Sequence, residues 1–348
     1  MKRNIVFIII LIVGLITACD ESTKVYLPGY SGRSGEVIVV MDTRLWNGET
    51  GEIVQDFLEE SVLMLPQAEP YFDIIHLHPK DFSRVFRSHR NILMITFDSD
   101  TLDSKTKIEV GRDRWASHQL VIQAKSGNLQ NLKTSLKNNG ERIVELFNEI
   151  ERERIVDKWM KRQNESEVAK LKEEHNLFLA IPSDAHIAKQ EDNFIWIKRD
   201  RVHFKGSSKH DVNQGIFIYF FPYESDSLFE RQSIVQRRDN LLKRYVPGPS
   251  EGSYMQTFFE EEFDVFYPVA NEVNFRGNYG VELRGLWNVH NDYMGGPFIS
   301  LTTYDTLNNR LVGIEGYVFA PRFDKREYLR EVEGMIYSAK FIQEEKES

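Results

Sequence analysis

The sequence has a single cysteine, Cys19, in 348 residues. Past that position there is no thiol, so disulfides, thiol catalysis and cysteine-ligated zinc are excluded for the rest of the chain. No short-period repeat appears, and no apolar run after residue 19 is long enough to cross a bilayer. The P-loop and the Gly-x-Gly-x-x-Gly fingerprint are missing. Gly29-Tyr30-Ser31-Gly32-Arg33 approaches a nucleophile elbow, but arginine stands where the second glycine belongs and the turn precedes a strand instead of leaving one. Positive charge is in deficit: 44 Lys and Arg against 53 Asp and Glu give a net charge of −9. A diffuse acidic surface argues against nucleic acid as a partner, and against charge-driven binding to anionic lipid. Disorder is excluded in turn, since 41% hydrophobic and 28% charged residues are ordinary globular usage. Aromatics are the generous class, at 12%, and favour strand-rich packing.

The N-terminus carries an address. Lys2 and Arg3 form a basic start, Ile5 to Leu15 an apolar run, and Thr17-Ala18 place small residues before Cys19. That run is about 11 residues long, too short to span. The order is that of a secretory leader, 1–18, cleaved before a cysteine that receives acyl chains. Two or more chains anchor a protein stably to a bilayer. Residues 19–35, rich in Gly, Ser and Pro in their second half, read as a lipidated flexible tether.

The remainder divides into an N-terminal half, 36–174, and a C-terminal half, 175–348. Val37 to Met41, Tyr71 to His78 and Ile92 to Phe97 read as strands, with Trp115 and Leu120 to Ile122 adding one or two more. A helix is predicted over 48–62, and a long charged helix from Leu129 to Glu174, broken or capped near Gly140. In the second half, strands are predicted at 177–181, 194–197 and 216–221, and a helix over 226–244. An antiparallel meander follows at 281–289, 297–304 and 311–320, turning at Asn308-Asn309, and a closing helix covers 325–342. The fold class is therefore α+β, with mixed and antiparallel sheets and flanking helices. Each half runs strands first and helix last, which points to two related halves.

Few residues point to chemistry. His76 and His78 share a strand face, but no third ligand lies at set spacing, and no metal is assigned. Glu260-Glu261-Glu262 reads as a solvated charge run. The most suggestive stretch is 245–298. There Val281, Leu283, Trp287 and Val289 take one strand face, and Glu282, Arg284, Asn288 and His290 the other. A packed hairpin with a Gly-Gly turn is the plainer reading. The sharper one joins the Pro/Gly loop 247–254 to the 292–298 turn as a ligand-binding rim holding Tyr254, Arg284, His290 and Asp292. On that reading Arg284→Ala leaves stability unchanged, while Trp287→Ala destabilises by about 3–5 kcal/mol.

Leu65-Pro66-Gln67, Glu69-Pro70-Tyr71-Phe72, Ser88-His89-Arg90-Asn91-Ile92, Pro247-Gly248-Pro249, Ser253-Tyr254-Met255, Arg284-Gly285-Leu286-Trp287, Met294-Gly295-Gly296-Pro297-Phe298, Glu315-Gly316-Tyr317-Val318-Phe319-Ala320-Pro321 and Lys325-Arg326 carry a resemblance over nearly the whole mature chain. The combination resembles an uncharacterised family of Bacteroidota lipoproteins known only as a domain of unknown function. The resemblance implies a cell-envelope lipoprotein and brings no catalytic residues. Asp20-Glu21 resembles the start of the surface-export signals of such lipoproteins. Envelope proteins of that kind look to be O-glycosylated at Asp-Ser/Thr-aliphatic sites, which here are Thr101, Ser227 and Thr306.

The expected function is a non-catalytic binding or envelope-assembly lipoprotein. It would be anchored in the outer membrane, on the periplasmic face or cell surface, through acylated Cys19. Its partner would be an envelope protein or glycan, and no cofactor is implied. The alternative is a hydrolase of envelope polymers using groups such as Glu282, Asp292 and His290.

Overall fold

The computed structural model describes residues 26–100, 104–259 and 266–343. The leader, Cys19, Thr101 and the 260–262 acidic run lie outside them.

The first half is built on a five-stranded sheet. β1 (Glu36–Val40), β2 (Asp73–Leu77), β3 (Asn91–Phe97), β4 (Lys107–Arg112) and β5 (Leu120–Ser126) pair in the order β2-β1-β3-β5-β4. All pairs are parallel except β4 against β5. Parallel strands are buried on both faces, which is why Val37 to Met41 is apolar throughout. Short α1 (Thr43–Trp46), α2 (Glu49–Leu58), the four-residue α3 (Arg84–Arg87) and the 32-residue α4 (Leu129–Met160) complete it. Val54 and Leu58 from α2 and Leu132, Leu136, Ile143 and Phe147 from α4 cover one face.

Gly140 does not break α4. A side chain there would meet the Phe57 ring at 2.7 Å, so the glycine lets α2 and α4 close on each other. The expected single helix to Glu174 instead ends at Met160. A second helix, α5 (Glu165–His175), follows, because Asn164 and Gln163 bond to Ile181 and Pro182 in the intervening turn. Val168 and Leu171 of α5 pack into the core of the second half, so the change of half falls at 161–164. Residues 28–35, expected in the flexible tether, are fixed: Ser31 N–H donates to Ser88 O at 2.8 Å, and the Tyr30 ring lies under the guanidiniums of Arg90 and Arg154.

The second half is antiparallel throughout. After β6 (Leu177–Phe178) come β7 (His186–Glu191), β8 (Phe194–Lys205), β9 (Ser208–Pro222), α6 (Arg231–Tyr245), β10 (Met255–Phe258), β11 (Val269–Phe275), β12 (Asn278–Val289), β13 (Gly295–Asp305), β14 (Arg310–Phe319), α7 (Arg326–Ser338) and β15 (Lys340–Phe341). The sheet order is β10-β12-β13-β14-β9-β8-β7, and β11 extends along the first part of β12 beside β10. β6 and β15 form a separate ribbon. Mixed and antiparallel sheets with flanking helices are thus the architecture, in two halves. The halves share the order of strands followed by helix but not their topology, and neither lends a strand to the other's sheet.

Helices cover both faces of the large sheet. α6 packs Ile234, Leu241 and Leu242 on one side, and α7 packs Leu329, Val332, Met335 and Ile336 on the other. Gly316 admits Val332, with a side chain there only 2.7 Å from it. The expectation of an open polar face on 281–289 is therefore corrected. Glu282, 8% exposed, and Arg284 lie beneath α7, and Trp287 is 2% exposed in the opposite core.

Candidate ligand-binding cleft between the two halves

α7 is apolar along one stripe and charged along another. Arg326, Arg330, Glu333 and Tyr337 recur at +4, +3 and +4, which places them on one helical face, beside the apolar stripe that packs on the sheet. α4 presents Glu141, Glu145, Asn148, Glu149 and Arg152 by the same periodicity. Between these faces, walled by Phe57 and Tyr71 of the first half and Asn271 to Asn274 of β11, lies a cleft of about 940 Å³.

Its floor is a network of paired charges. Glu333 accepts from Arg152 at 2.7 Å and from Arg284 at 3.0 Å. Arg284 also donates to Glu282 at 2.8 Å, and the Tyr337 hydroxyl donates to the same carboxylate. The Arg152 guanidinium lies 4.6 Å from the Tyr337 ring centre. Arg330 donates to Tyr71 O at 2.5 Å and Asn148 Oδ1 at 3.1 Å, and so ties β12's neighbour helix to the first half.

Burial opposes the charges of Arg152, Arg284 and Glu333, and the pairing overrides it. For Glu333, desolvation pushes the carboxyl up, but Arg284 and Arg152 outweigh it and hold the group below its ordinary value. For Arg284, desolvation is likewise outweighed by Glu282 and Glu333, which keep the guanidinium charged. Burial and then Glu282 push the Tyr337 hydroxyl well above its ordinary value. At neutral pH Arg152, Arg284 and Glu333 are thus held charged and Tyr337 keeps its proton.

At the mouth the balance changes. Glu60, Glu141 and Glu272 stand there with the amides of Asn148, Asn271 and Asn274. Glu145 and Glu149 are bridged by Arg142 at 2.8 and 3.0 Å.

The residues singled out from sequence separate into two places. Loop 247–254 and the 291–294 turn do meet. Tyr254 stacks on His290 with ring centres 5.0 Å apart, His290 N–H donates to Tyr254 O at 2.8 Å, and the Lys243 ammonium lies 5.2 Å from the Tyr254 ring. Asp292 closes the turn, accepting from Tyr293 N at 2.7 Å and Met294 N at 3.2 Å. Arg284 is not part of this rim. It lies six residues down the strand, about 20 Å of extended chain, with its guanidinium in the cleft floor. The rim reading is corrected to that extent. Arg284 is held by two carboxylates because its side of the sheet is roofed by α7.

Elsewhere, His76 Nε2 donates to Met41 O at 2.9 Å and its ring stacks on Trp46, while His78 Nδ1 accepts from Lys80 N. Among the described residues no group of three His, Cys, Asp or Glu is placed to hold a metal. Thr306 and Ser227 are exposed. Asp226 does not cap the helix after it: a 3₁₀ turn intervenes and α6 starts at Arg231.

Sequence reasoning missed Arg152, Glu333, Tyr337, Asn148 and Tyr71. The charged stripe opposite the apolar stripe of the closing helix was the available signal.

The domain of unknown function DUF4837 matches residues 164–338, and the domain of unknown function DUF8532 matches residues 31–160. No curated protein sequence matches. Among solved structures, a mutant of the protein Mog1 is similar over 49% of this chain and 92% of its own, at 10% identity and a TM-score of 0.30. LpqN, involved in cell envelope biogenesis of Mycobacterium tuberculosis, is similar over 48% of this chain and 83% of its own, at 11% identity and a TM-score of 0.26.

Proposed function

We propose, for a chain that belongs to the DUF4837 family of domains of unknown function, that it is a non-catalytic cell-envelope lipoprotein that binds a ligand in the cleft between its halves. The cleft itself carries the reading. It has the volume of a ligand site, about 940 Å³, and its floor charges are already paired with one another. What it offers a ligand is uncharged amides, carboxylate acceptors at the mouth, and the Tyr71 and Phe57 rings. That chemistry suits a polyhydroxylated glycan segment of the envelope. The paired floor also speaks against the hydrolase reading, which needs a carboxyl kept protonated beside one kept ionised.

The anchor is supported by the leader alone: Lys2-Arg3, the apolar run, and Thr17-Ala18 before Cys19. Among the described residues no helix is long and apolar enough to cross a membrane, so acyl chains on Cys19 would supply attachment to the outer membrane. The resemblance to Bacteroidota lipoproteins makes O-glycosylation at exposed Thr306 part of this proposal, and intact mass of native protein tests it.

The binding reading is tested with soluble glycan fragments released from the native envelope. Asn148→Trp, which fills the cleft and gives up the contact with Arg330, should abolish retention of fragments that the wild type retains, while the variant still unfolds cooperatively. Equal retention would refute the cleft as the site, and shortened fragments would restore the hydrolase. Separately, Cys19→Ala should lose lipid labelling.

A further inference from the structure

The chain enters its fold at a defined point. Pro28 O accepts from Ser117 N at 2.8 Å, and Ser31 N donates to Ser88 O at 2.8 Å. The entry therefore lies between the end of α3 and the loop that ends at Ser117. Residues 20–27 connect Cys19 to Pro28, and eight residues reach about 28 Å at full extension. With Cys19 acylated, the surface around α3 and the 113–117 loop is held within that distance of a bilayer.

That surface differs from the rest of an acidic protein. Lys80, Arg84, Arg87 and Arg114 are exposed there, and none of them forms an ion pair among the described residues. The opposing acids on these segments are Asp81 and Asp113. The flanking pairs Arg112–Glu153 at 2.5 Å and Lys107–Glu109 compensate themselves, and Asp157 lies beyond them, 3.1 Å from His118. Between the cations stands a half-buried indole: Trp115 has the Arg114 guanidinium 4.7 Å and the Arg87 guanidinium 5.9 Å from its ring centre, and Phe82 packs on its edge. Val85 projects beside them, 77% exposed. Tryptophan with arginine and a protruding aliphatic side chain is the composition of a water–lipid interface.

We propose that the face formed by α3 and the 113–117 loop rests on the anionic headgroups of the bilayer that holds the anchor. This rests on the lipoprotein reading above. It revises the inference from net charge, because four cations and two acids gathered beside the anchor present a local positive field, which the membrane meets once the face comes within a Debye length of it. Docking there would also fix the orientation of the inter-half cleft relative to the membrane.

The test uses the mature lipoprotein in vesicles of phosphatidylcholine with brominated acyl chains, with and without phosphatidylglycerol. The Trp115 emission is read as the difference between wild type and Trp115→Phe. It should be quenched in the phosphatidylglycerol vesicles and much less in phosphatidylcholine alone, and Arg84→Glu/Arg87→Glu should remove the quenching while the protein still floats with the vesicles. An unquenched Trp115 signal, or equal quenching after charge reversal, overturns the proposal. If the wild type does not float, the anchor reading has failed, and the same vesicles are added to the unacylated protein. A fall in partitioning of about tenfold or more on charge reversal then supports the face, and an unchanged partitioning overturns it.

Discussion

Arg152 of α4 and Glu333 of α7 meet at 2.7 Å across the boundary between the two halves, and Arg284 of β12 reaches the same carboxylate at 3.0 Å. Three elements far apart in sequence thus share one buried anion. Removing a single member leaves a neighbour charged and under-paired in a largely buried place.

Arg284→Ala should consequently destabilise the fold by about 3–5 kcal/mol, the range for breaking a buried ion pair from one side. The cost comes from Glu282, left without its cation, and from Glu333, left with Arg152 alone. This reverses the sequence-based expectation that the substitution would be silent. Trp287→Ala keeps its expected cost of about 3–5 kcal/mol, since the indole is 2% exposed and donates to Val318 O. Chemical denaturation of the two variants checks both, and an Arg284→Ala protein as stable as wild type would remove the ion network from the account.

Stability should fall with acid in two stages. Burial lowers the His89 pKa from 6.5, against the opposing pulls of Asn91 O and of Glu36, whose carboxylate lies 3.6 Å from Nε2 of this buried ring. The unfolded chain protonates His89 before the folded one does, so its contribution is whole above 6.5 and drains as pH falls below it. Glu333, held below 4.5 in the folded state, contributes fully above 4.5 and is lost as pH drops through its depressed value. Urea unfolding across acid pH should show His89→Gln flattening the upper stage and Glu333→Gln the lower. Parallel curves for wild type and both variants would contradict the assignment.

Gly140→Ala should destabilise, although alanine in a helix interior ordinarily gains about 1 kcal/mol over glycine. The added methyl would sit 2.7 to 3.0 Å from the base of the Phe57 ring, which cannot swing clear as a flexible tip could. Phe57 also lines the cleft, so the same substitution should weaken ligand retention. A raised melting temperature would show that α2 yields easily.

The helices and strands were legible where one periodicity ruled. The meander 281–320, the runs at 37–41 and 92–97 and the closing helix all announced themselves by apolar spacing. Gly140 misled because a glycine that admits Phe57 and a glycine that ends a helix look alike in one dimension. Strand β11 was missed because Val269 to Phe275 is half polar and lies on the rim of the cleft. The candidate site was legible only in pieces. Arg284 stood out, but its partner Glu333 is 49 residues away on α7. Some segments that carried the family resemblance make such pairs: Glu69 meets Lys325-Arg326 of another such segment, and Arg90-Asn91 meets Glu151 and Arg154 of α4. These contacts are buried and polar, and they fix how the elements dock.

The first of those pairs gives the last prediction. Glu69, in the loop leading to β2, accepts from the backbone N–H of Lys325 at 2.6 Å and of Arg326 at 2.9 Å. It supplies from the first half the cap that α7 lacks, since Lys325 makes no side-chain cap of its own. A carboxylate there satisfies two free donors and faces the positive end of the helix dipole. Glu69→Ala should cost about 1–2 kcal/mol, and the loss should be local. Amide exchange should quicken over the first turn of α7, Arg326 to Leu329, while the Val332 to Ile336 stretch, held by the sheet, stays protected. Glu69→Gln keeps one acceptor and should recover part of the protection. If exchange quickens equally along the whole helix, α7 is held by the inter-half contact as a unit, and the cap carries more of the fold than its hydrogen bonds imply.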